Sequence, residues 1–572
     1  MTDGKLCSWD AEPNPRYRLV TTGNVEEVLP GVIAPLTADL INQWDYRFTT
    51  RMAEELGVLD LVPTAPPPAM NVLGVVGGRW TLGVAWSMAI TSTYQVSGGT
   101  DMLQQFVEGD QLTAAQAQDV ERAKEARRRI EARWRNAERE IARGVVVSTK
   151  AYRQAWAREY PRASNSDLLR AIDENLEVVA GLFVSHVIVS VGGAEYTGVL
   201  GGMLDEYVPN HPATWVTTLT SALRDVESAK PGKATWDLAR MGRRSPAIAV
   251  AFAELPTEAL LVRLAAPVAP AWEEFAAGYR ELIREYGFRG QRETDPSTAT
   301  WDEAPGFLIG ALRADMAAPA SADPHRKEER AAAARERLEA RVEQLLPKGA
   351  RRGFRETLTM AQRLNRGREG TKANWARACR AFRPPLLEIG RRLVGRGALE
   401  RAEDVFFLRL AEVRQFETLD PAVAKAAVRD RMEEFHRLEG YRLPEGVFEL
   451  PTQLVPIGAA VGPGETSLCG QGVSPGKATG RARVIRSVEA ALETEVEPGD
   501  VLVLPVFDAP LAPLFVPAAG LVVETGGMLS HAAIVAREYG IPAVVGAKDA
   551  TRVIRDGQAV TVDGDAGTVT LA

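Results

Sequence analysis

The chain has 572 residues and a formal net charge of −7. The length predicts about two to four domains, and the acidic balance argues against a nucleic-acid partner because no positive excess can neutralise phosphates. The three cysteines lack the spacing of a metal site or a disulfide framework, which favours a cytoplasmic location. The polar N-terminus predicts no signal peptide. The most apolar run, residues 178–191, is short for a bilayer span, so we expect a buried helix and no membrane partner.

Hydrophobic periodicity divides the chain into a helical part and an α/β part. Helices are predicted over four stretches of the first part, namely residues 40–59, 114–143, 165–191 and 326–346. Proline, glycine and small residues dominate residues 446–470, as in a linker. The chain is therefore predicted to be multidomain, with a mostly α-helical domain over residues 1–445 and a small α/β domain over residues 471–572.

The stretch from Tyr286 to Glu293 combines a glycine-rich turn with charged side chains. Arg289 precedes Gly290, and Glu293 follows shortly after. A guanidinium in such a turn suits contact with an oxyanion, and a nearby carboxylate suits a general base. An Arg–Glu pair that only holds the loop explains the same residues.

A second charged group lies on a predicted helix around residue 370. Arg368 and Lys372 are four residues apart and share one helix face. Two cations on one face can receive a phosphoryl group, and Glu369 between them is a candidate base. Ordinary surface charge is the alternative.

The clearest local pattern lies near residue 530. An apolar run at 518–523 predicts a buried strand, and Gly526 and Gly527 allow a tight turn after it. Ser530 occupies a helix N-cap position, so His531 falls in the first turn of a helix. Backbone N–H groups and the helix dipole favour an anion there, and a neutral imidazole can attack phosphorus. Arg537, further along this helix, either stabilises a phosphate or packs the helix.

Residues 526–546, with the pattern Gly-Gly-x-x-Ser-His-Ala-Ala-x-x-Ala-Arg-Glu-x-Gly-Ile-Pro-Ala-Val-Val-Gly, resemble the phosphohistidine swivelling domain of phosphoenolpyruvate-utilising enzymes and dikinases. Residues 472–482 and 498–503 resemble the opening segments of that domain. The charged stretches around Arg289 and Arg368 resemble the acceptor region of rifampicin-phosphotransferase-like members. Three positions depart from the family pattern: Phe288 replaces a His, Gln291 replaces a Pro, and Leu529 replaces a Thr.

The resemblance implies that His531 is a nucleophile that carries a phosphoryl group to a hydroxyl or enol of a small organic acceptor. Arg289, Arg368 and Lys372 are then candidate phosphate-binding residues, with Gly526, Gly527 and Ser530 around the histidine. Aromatic residues within 40–100 weakly favour an aromatic acceptor. The acceptor itself cannot be named from the sequence.

No segment resembles the ATP-grasp domain that feeds such carriers, and no phosphoenolpyruvate-binding barrel follows His531. The pattern is similar to split dikinases, so a separate ATP-grasp subunit is expected to bind ATP and Mg²⁺. Two alternatives remain. The donor could be phosphoenolpyruvate on another subunit, or the chain could be a non-catalytic binding or regulatory protein without a donor domain.

Overall fold

The computed structural model describes residues 6–14, 16, 19–22, 25, 28–92, 120–212, 214–444, 447–449, 454–456, 467–486, 496–507, 511, 515–527 and 530–571. The chain divides into two compact units. The first unit comprises Met1–Gly198, Arg292–Ser297 and Thr371–Ala459, and the second comprises Val199–Gln291, Thr298–Gly370 and Ala460–Ala572. The division falls inside two long helices, Asn165–Tyr207 and Arg351–Cys379.

The first unit is mainly helical. Apart from the two long helices, its described α-helices are Pro35–Leu56, Val84–Ser92, Val120–Arg135, Ala137–Ala157, Arg383–Gly395, Leu410–Arg414 and Pro421–Glu439. Short 3₁₀ helices span Tyr160–Arg162, Arg380–Phe382 and Ala402–Phe407. An antiparallel sheet has the strand order Leu73–Val76, Arg79–Gly83, Leu19–Thr21 and Val447–Glu449. A two-stranded pair joins Tyr441–Arg442 and Val455–Pro456.

Aromatic side chains form the core of the first unit. The ring of Phe183 lies 4.9 Å from that of Trp44 and 4.8 Å from that of Trp375. The buried Asp45 carboxylate accepts the backbone N–H groups of Asn71 and Leu73, which ties the helix Pro35–Leu56 to the sheet. A buried carboxylate is tolerated there because backbone donors satisfy it.

The predicted helix over residues 114–143 is wrong as a single element. Residues 114–119 lie outside the described residues, and the rest forms two helices that meet at Asn136. The Asn136 backbone leaves the helical region (φ −100°, ψ 14°), and its amide donates to Ala132 O at 2.8 Å. Asparagine breaks helices readily because its side chain competes for backbone groups.

The predicted helix from residue 165 continues to Tyr207. Gly192 lies inside this helix. A side chain at that position would collide with the Trp134 ring, so glycine allows the helix to pack closely against it. This helix is long and apolar enough to cross a membrane by length and composition, and 56% of its apolar window is buried within the protein. Burial on that scale is what a core helix requires. The predictions for residues 40–59 and 326–346 are confirmed by Pro35–Leu56 and Pro324–Leu345.

The second unit begins with helices that pack around an apolar core. Its described α-helices before the sheet are Thr214–Leu219, Lys230–Arg243, Pro246–Glu254, Thr257–Ala265, Pro270–Tyr286, Gly306–Ala317 and Pro324–Leu345. A short 3₁₀ helix spans Ala320–Ala322. Buried aromatic residues, including Trp272, Phe275 and Trp301, fill the space between these helices.

An eight-stranded sheet completes the second unit. Its strand order is Ser467–Cys469, Thr568–Leu571, Ala559–Asp563, Lys477–Val484, Val501–Leu504, Gly520–Val523, Ala543–Val545 and Gln471–Ser474. The four strands from Lys477–Val484 to Ala543–Val545 are parallel, and the others join antiparallel. The helix His531–Tyr539 connects two neighbouring parallel strands, and a short helix spans Ala550–Val553. This arrangement confirms a mostly α-helical region followed by a small α/β domain.

The sheet and the helices of the second unit share one hydrophobic core. Polar contacts support it, because Tyr539 Oη donates to Ala229 O at 3.0 Å and Lys327 Nζ donates to Val516 O at 2.9 Å. The α/β domain therefore has a buried docking surface on these helices. The predicted linker, residues 446–470, lies largely outside the described residues, and the predicted division into residues 1–445, 446–470 and 471–572 stays a prediction.

Candidate functional site

His531 lies at the carboxyl end of a parallel strand, where a helix begins. The strand Gly520–Val523 is followed by a turn in which Gly526 has φ +128°, a conformation that favours glycine. Ser530 caps the helix, since its hydroxyl accepts the Ala533 N–H at 3.2 Å. His531 is the first helical residue, as predicted, and helix N-termini at the carboxyl ends of parallel strands are common anion sites.

The cap offers a direct test of this local structure. Replacing Ser530 with alanine removes the acceptor for the Ala533 N–H, so we expect a loss of about 1 kcal/mol in the stability of the α/β domain. Ser530→Asp should retain the cap. Thermal unfolding of the two variants measures the difference, and equal stabilities would show that the hydroxyl is dispensable.

The His531 ring is held against a carboxylate from the helix Arg351–Cys379. His531 Nδ1 lies 3.3 Å from Glu369 Oε2, and the two side chains are only 3% and 2% exposed. A carboxylate can only accept, so its position beside Nδ1 favours the tautomer with hydrogen on Nδ1 and the lone pair on Nε2. Nε2 is therefore the candidate nucleophilic nitrogen.

Two arginines accompany this pair within the second unit. Arg368 precedes Glu369, and Arg537 lies on the histidine helix, His531–Tyr539, with its Nη1 donating to Val473 O at 3.2 Å. Both arginines line one small cavity. Burial is the main reason that the pKa of Arg537 is lowered to about 10; the positive charge of Arg368 contributes to the lowering, and the carboxylates of Glu538 and Glu369 oppose it. Arg368 and Arg537 thus line the same cavity, in the unit that contains His531.

The other predicted site residues have different surroundings. Glu293 and Lys372 belong to the first unit, where Lys372 Nζ lies 3.7 Å from Glu293 Oε1 and both side chains are buried. Arg289 belongs to the second unit, where its guanidinium lies over the Phe288 ring at 5.2 Å and approaches Glu227 O at 3.5 Å. Their catalytic and phosphate-binding roles stay predictions.

Glu538 is a buried acid that the sequence reasoning missed. Its Oε1 accepts the Leu223 N–H at 3.2 Å, and burial raises its pKa to about 8. Glu538 directly follows Arg537 in the motif that resembles the swivelling domain, and this position could have marked it as a site residue. A neutral carboxyl group therefore lies beside the arginines at neutral pH.

Glu538 should make stability depend on pH. Its folded pKa lies above the ordinary 4.5, so the unfolded chain releases a proton that the folded chain retains, and stability falls as pH rises from about 4.5 to 8. The difference in unfolding free energy between Glu538→Gln and the natural chain should shift in favour of the variant as pH rises from 5.5 to 7.5, by up to about 1.4 kcal/mol per pH unit. Thermal midpoints at both pH values test this, with the exposed Glu258→Gln as control. A difference that does not change with pH would contradict it.

The described residues do not fit a resident metal ion. Among them, no cluster of three or more His, Cys, Asp or Glu side chains could hold one. Mg²⁺ prefers several carboxylate and water oxygens in octahedral geometry.

Family comparisons agree with this geometry. Residues 496–567 match the PEP-utilising enzyme mobile domain, and residues 185–369 match the rifampicin phosphotransferase fourth domain. The first match contains His531, and the second ends at Glu369. The chain carries the mobile domain of PEP-utilising enzymes. The predicted resemblance is thereby confirmed for both parts of the site.

Curated relatives share the same region of sequence. A rifampicin phosphotransferase of Streptomyces sviceus is 31% identical over 442 residues, which cover 75% of this chain and 50% of that protein. The prodigiosin synthesizing transferase PigC of Serratia marcescens is 29% identical, covering 57% of this chain and 37% of that protein. The uncharacterized phosphotransferase YvkC of Bacillus subtilis is 33% identical, covering 52% and 36%. The chain thus spans half or less of the length of these relatives.

Proposed function

We propose that this PEP-utilising mobile-domain protein is the phosphohistidine carrier of a dikinase-type phosphotransferase. The observation that carries the proposal is the His531 ring, placed at a capped helix N-terminus with Nδ1 against Glu369. Relatives named as phosphotransferases support the reaction class.

In the first step, the Nε2 lone pair of His531 attacks a donor phosphorus. The Nε2–P bond forms while the bond from phosphorus to the donor oxygen breaks, and that oxygen leaves with the electron pair. Glu369 retains the Nδ1 proton between itself and the ring, so the positive charge that develops on the imidazole is balanced. Arg368 and Arg537 stabilise the charge on the phosphoryl oxygens.

In the second step, an acceptor oxygen attacks the phosphorus of phospho-His531. The N–P bond breaks, its electrons return to Nε2, and the acceptor hydroxyl proton passes to a base. Glu293, which lies 3.7 Å from Lys372, is the remaining carboxylate candidate for that base. Arg289 is a candidate contact for the acceptor or the phosphate.

Ring burial implies motion during this cycle. His531 is 2% exposed in the docked arrangement, so a bulky donor cannot reach Nε2. We infer that the α/β domain leaves its surface on the helices of the second unit to be phosphorylated. Motions of this kind take microseconds to milliseconds.

The acceptor is proposed to be a small organic molecule with an apolar portion. The relatives' names include a rifampicin phosphotransferase and a prodigiosin synthesizing transferase. A cavity of about 110 Å³ beside Gly290 and Gln291 supports an apolar portion, since the stacked rings of Trp301 and Phe307 (5.5 Å apart) form its wall. A volume near that of a benzene-binding cavity suits part of an aromatic acceptor.

The donor is proposed to be ATP, bound with Mg²⁺ by a separate ATP-grasp subunit in the cytoplasm. In a dikinase cycle ATP and water yield AMP and phosphate: AMP leaves from the β-phosphorus, water removes the γ-phosphoryl group as phosphate, and the β-phosphoryl group remains on the histidine. The purified chain should therefore take up label from [β-³²P]ATP only when a candidate ATP-grasp protein is added. Labelling by the chain alone would refute the separate subunit, and labelling from phosphoenolpyruvate instead would replace ATP as the donor.

A further inference from the structure

A small cavity lies in the second unit beside the histidine helix. Its polar lining comes from three segments and comprises Thr220, Ser221, Asn365, Arg368, Arg537 and Glu538. Its volume is about 30 Å³. A single water needs about 10–15 Å³ by this measure, whereas pockets for organic ligands span roughly 300–1,000 Å³. The cavity therefore suits a small ion and not the acceptor.

The charges at this cavity favour an anion. Arg368 and Arg537 both line it. Burial, with a contribution from the positive charge of Arg368, lowers the pKa of Arg537 to about 10, so Arg537 remains charged at neutral pH. Two guanidiniums across a small space are stabilised when an oxyanion lies between them, because each can donate paired hydrogen bonds to its oxygens.

The other polar groups complement those cations. Burial raises the pKa of Glu538 to about 8, so at neutral pH it presents a neutral carboxyl with an O–H that can donate. The Asn365 side chain is an amide. The Ser221 and Thr220 hydroxyls already donate to Thr218 O at 3.1 Å and Val216 O at 2.9 Å, so the neutral donor groups at the cavity are the Glu538 hydroxyl and the Asn365 amide. Neutral donors beside two cations are the composition of an oxyanion site.

We infer that this cavity, the guanidinium pocket, binds a tetrahedral oxyanion of the phosphate class. Two sources can supply that chemistry, free orthophosphate and the phosphoryl group carried on His531. The second source rests on the proposed function, whereas binding of free orthophosphate requires neither His531 nor a phosphoryl donor.

Orthophosphate titrated into the purified full-length chain provides the test, by calorimetry or by ³¹P line broadening. Saturable binding is expected for the natural chain and for His531→Ala. Arg368→Met should weaken it roughly tenfold or more, as expected for a lost charge-assisted contact. Asn365→Asp should weaken it as well, by adding a negative charge. The exposed Arg366→Met, on the same helix, should bind as the natural chain does.

Equal binding by Arg368→Met and Arg366→Met would overturn the proposal, as would the absence of saturable binding or its loss in His531→Ala. Circular dichroism verifies that each variant is folded. If Arg368→Met does not fold, orthophosphate binding by Asn365→Asp is compared with that of the natural chain instead. Repeating the titration on His531-phosphorylated chain separates the two sources: weakened binding assigns the pocket to the carried group, and unchanged binding assigns it to free phosphate. Intact orthophosphate binding without labelling of His531 by any donor would reject the proposed function and retain the pocket.

Discussion

Replacing His531 with alanine is expected to abolish phosphoryl labelling of the chain and to lower acceptor phosphorylation by at least about 10³-fold. The alanine side chain has no lone pair to form the N–P bond. His325 also lies in the first turn of a capped helix, behind Asp323, but that helix does not follow a strand of the parallel sheet as the His531 helix does. Both half-reactions pass through this bond. Exchange of label between phosphorylated product and free acceptor should therefore stop together with labelling.

A folding defect must be separated from a chemical one. His531 is buried beside Glu369, so the alanine variant leaves a small void and a carboxylate without its ring. His531→Gln keeps much of the volume and should be equally inactive. His325→Ala is the matched control, because that partly exposed histidine only contacts Asp237 at 2.9 Å. Activity in both His531 variants would mean that phosphoryl transfer to the acceptor is direct.

Glu369→Gln is expected to slow phosphorylation of His531 by about 10²-fold or more. The carboxylate can only accept, so it favours the tautomer with hydrogen on Nδ1. A glutamine amide can donate to Nδ1 instead, which moves the ring hydrogen to Nε2 and removes the nucleophilic lone pair there. Loss of a carboxylate that orients an imidazole commonly has effects of this size.

The position of the residual label distinguishes orientation from mere stability. In Glu369→Gln, the remaining phosphohistidine should shift from Nε2 toward Nδ1. Glu356→Gln is the control on the same helix, where Glu356 is exposed and pairs with Arg352 at 2.9 Å. If Glu369→Gln reacts at the natural rate and position, Glu369 does not position the ring.

Local features of the site were predictable because they depend on neighbouring residues. An apolar run, a glycine turn, the Ser530 cap and a terminal Gly540 all act within about twenty residues, and the structure has each of them. The glycine at 540 adopts φ +60°, as expected of a helix C-cap. Strand, turn and helix around His531 therefore follow from the sequence alone.

Contacts between distant segments were not predictable in the same way. Glu369 was predicted as an acceptor base, whereas the structure places it against His531 Nδ1. Glu293 lies 3.7 Å from Lys372, a contact that the sequence did not suggest, and its pairing with Arg289 stays a prediction. Each of these pairings depends on tertiary packing of separate helices, and a charged residue carries no mark of which opposite charge it will meet.

The same limit applies to the fold. The strand Gln471–Ser474 lies at the sheet edge next to Ala543–Val545, although Lys477–Val484 follows it closely in sequence. The length of a helix was also not predictable: the helix that begins at Asn165 extends to Tyr207 and packs against Trp134 at Gly192. Periodicity predicts which elements form, and the shared core decides their order and length.

Chemical identification of the phosphorylated atom tests whether His531 carries the phosphoryl group. The chain would be incubated with an ATP-grasp partner and [β-³²P]ATP, then analysed by mass spectrometry and by stability of the label in acid and base. The account predicts an acid-labile, base-stable phosphate on Nε2 of His531, which chases into the acceptor on its addition. A base-labile phosphate on Ser530, or acceptor phosphorylation without any phosphorylated His531, would contradict it.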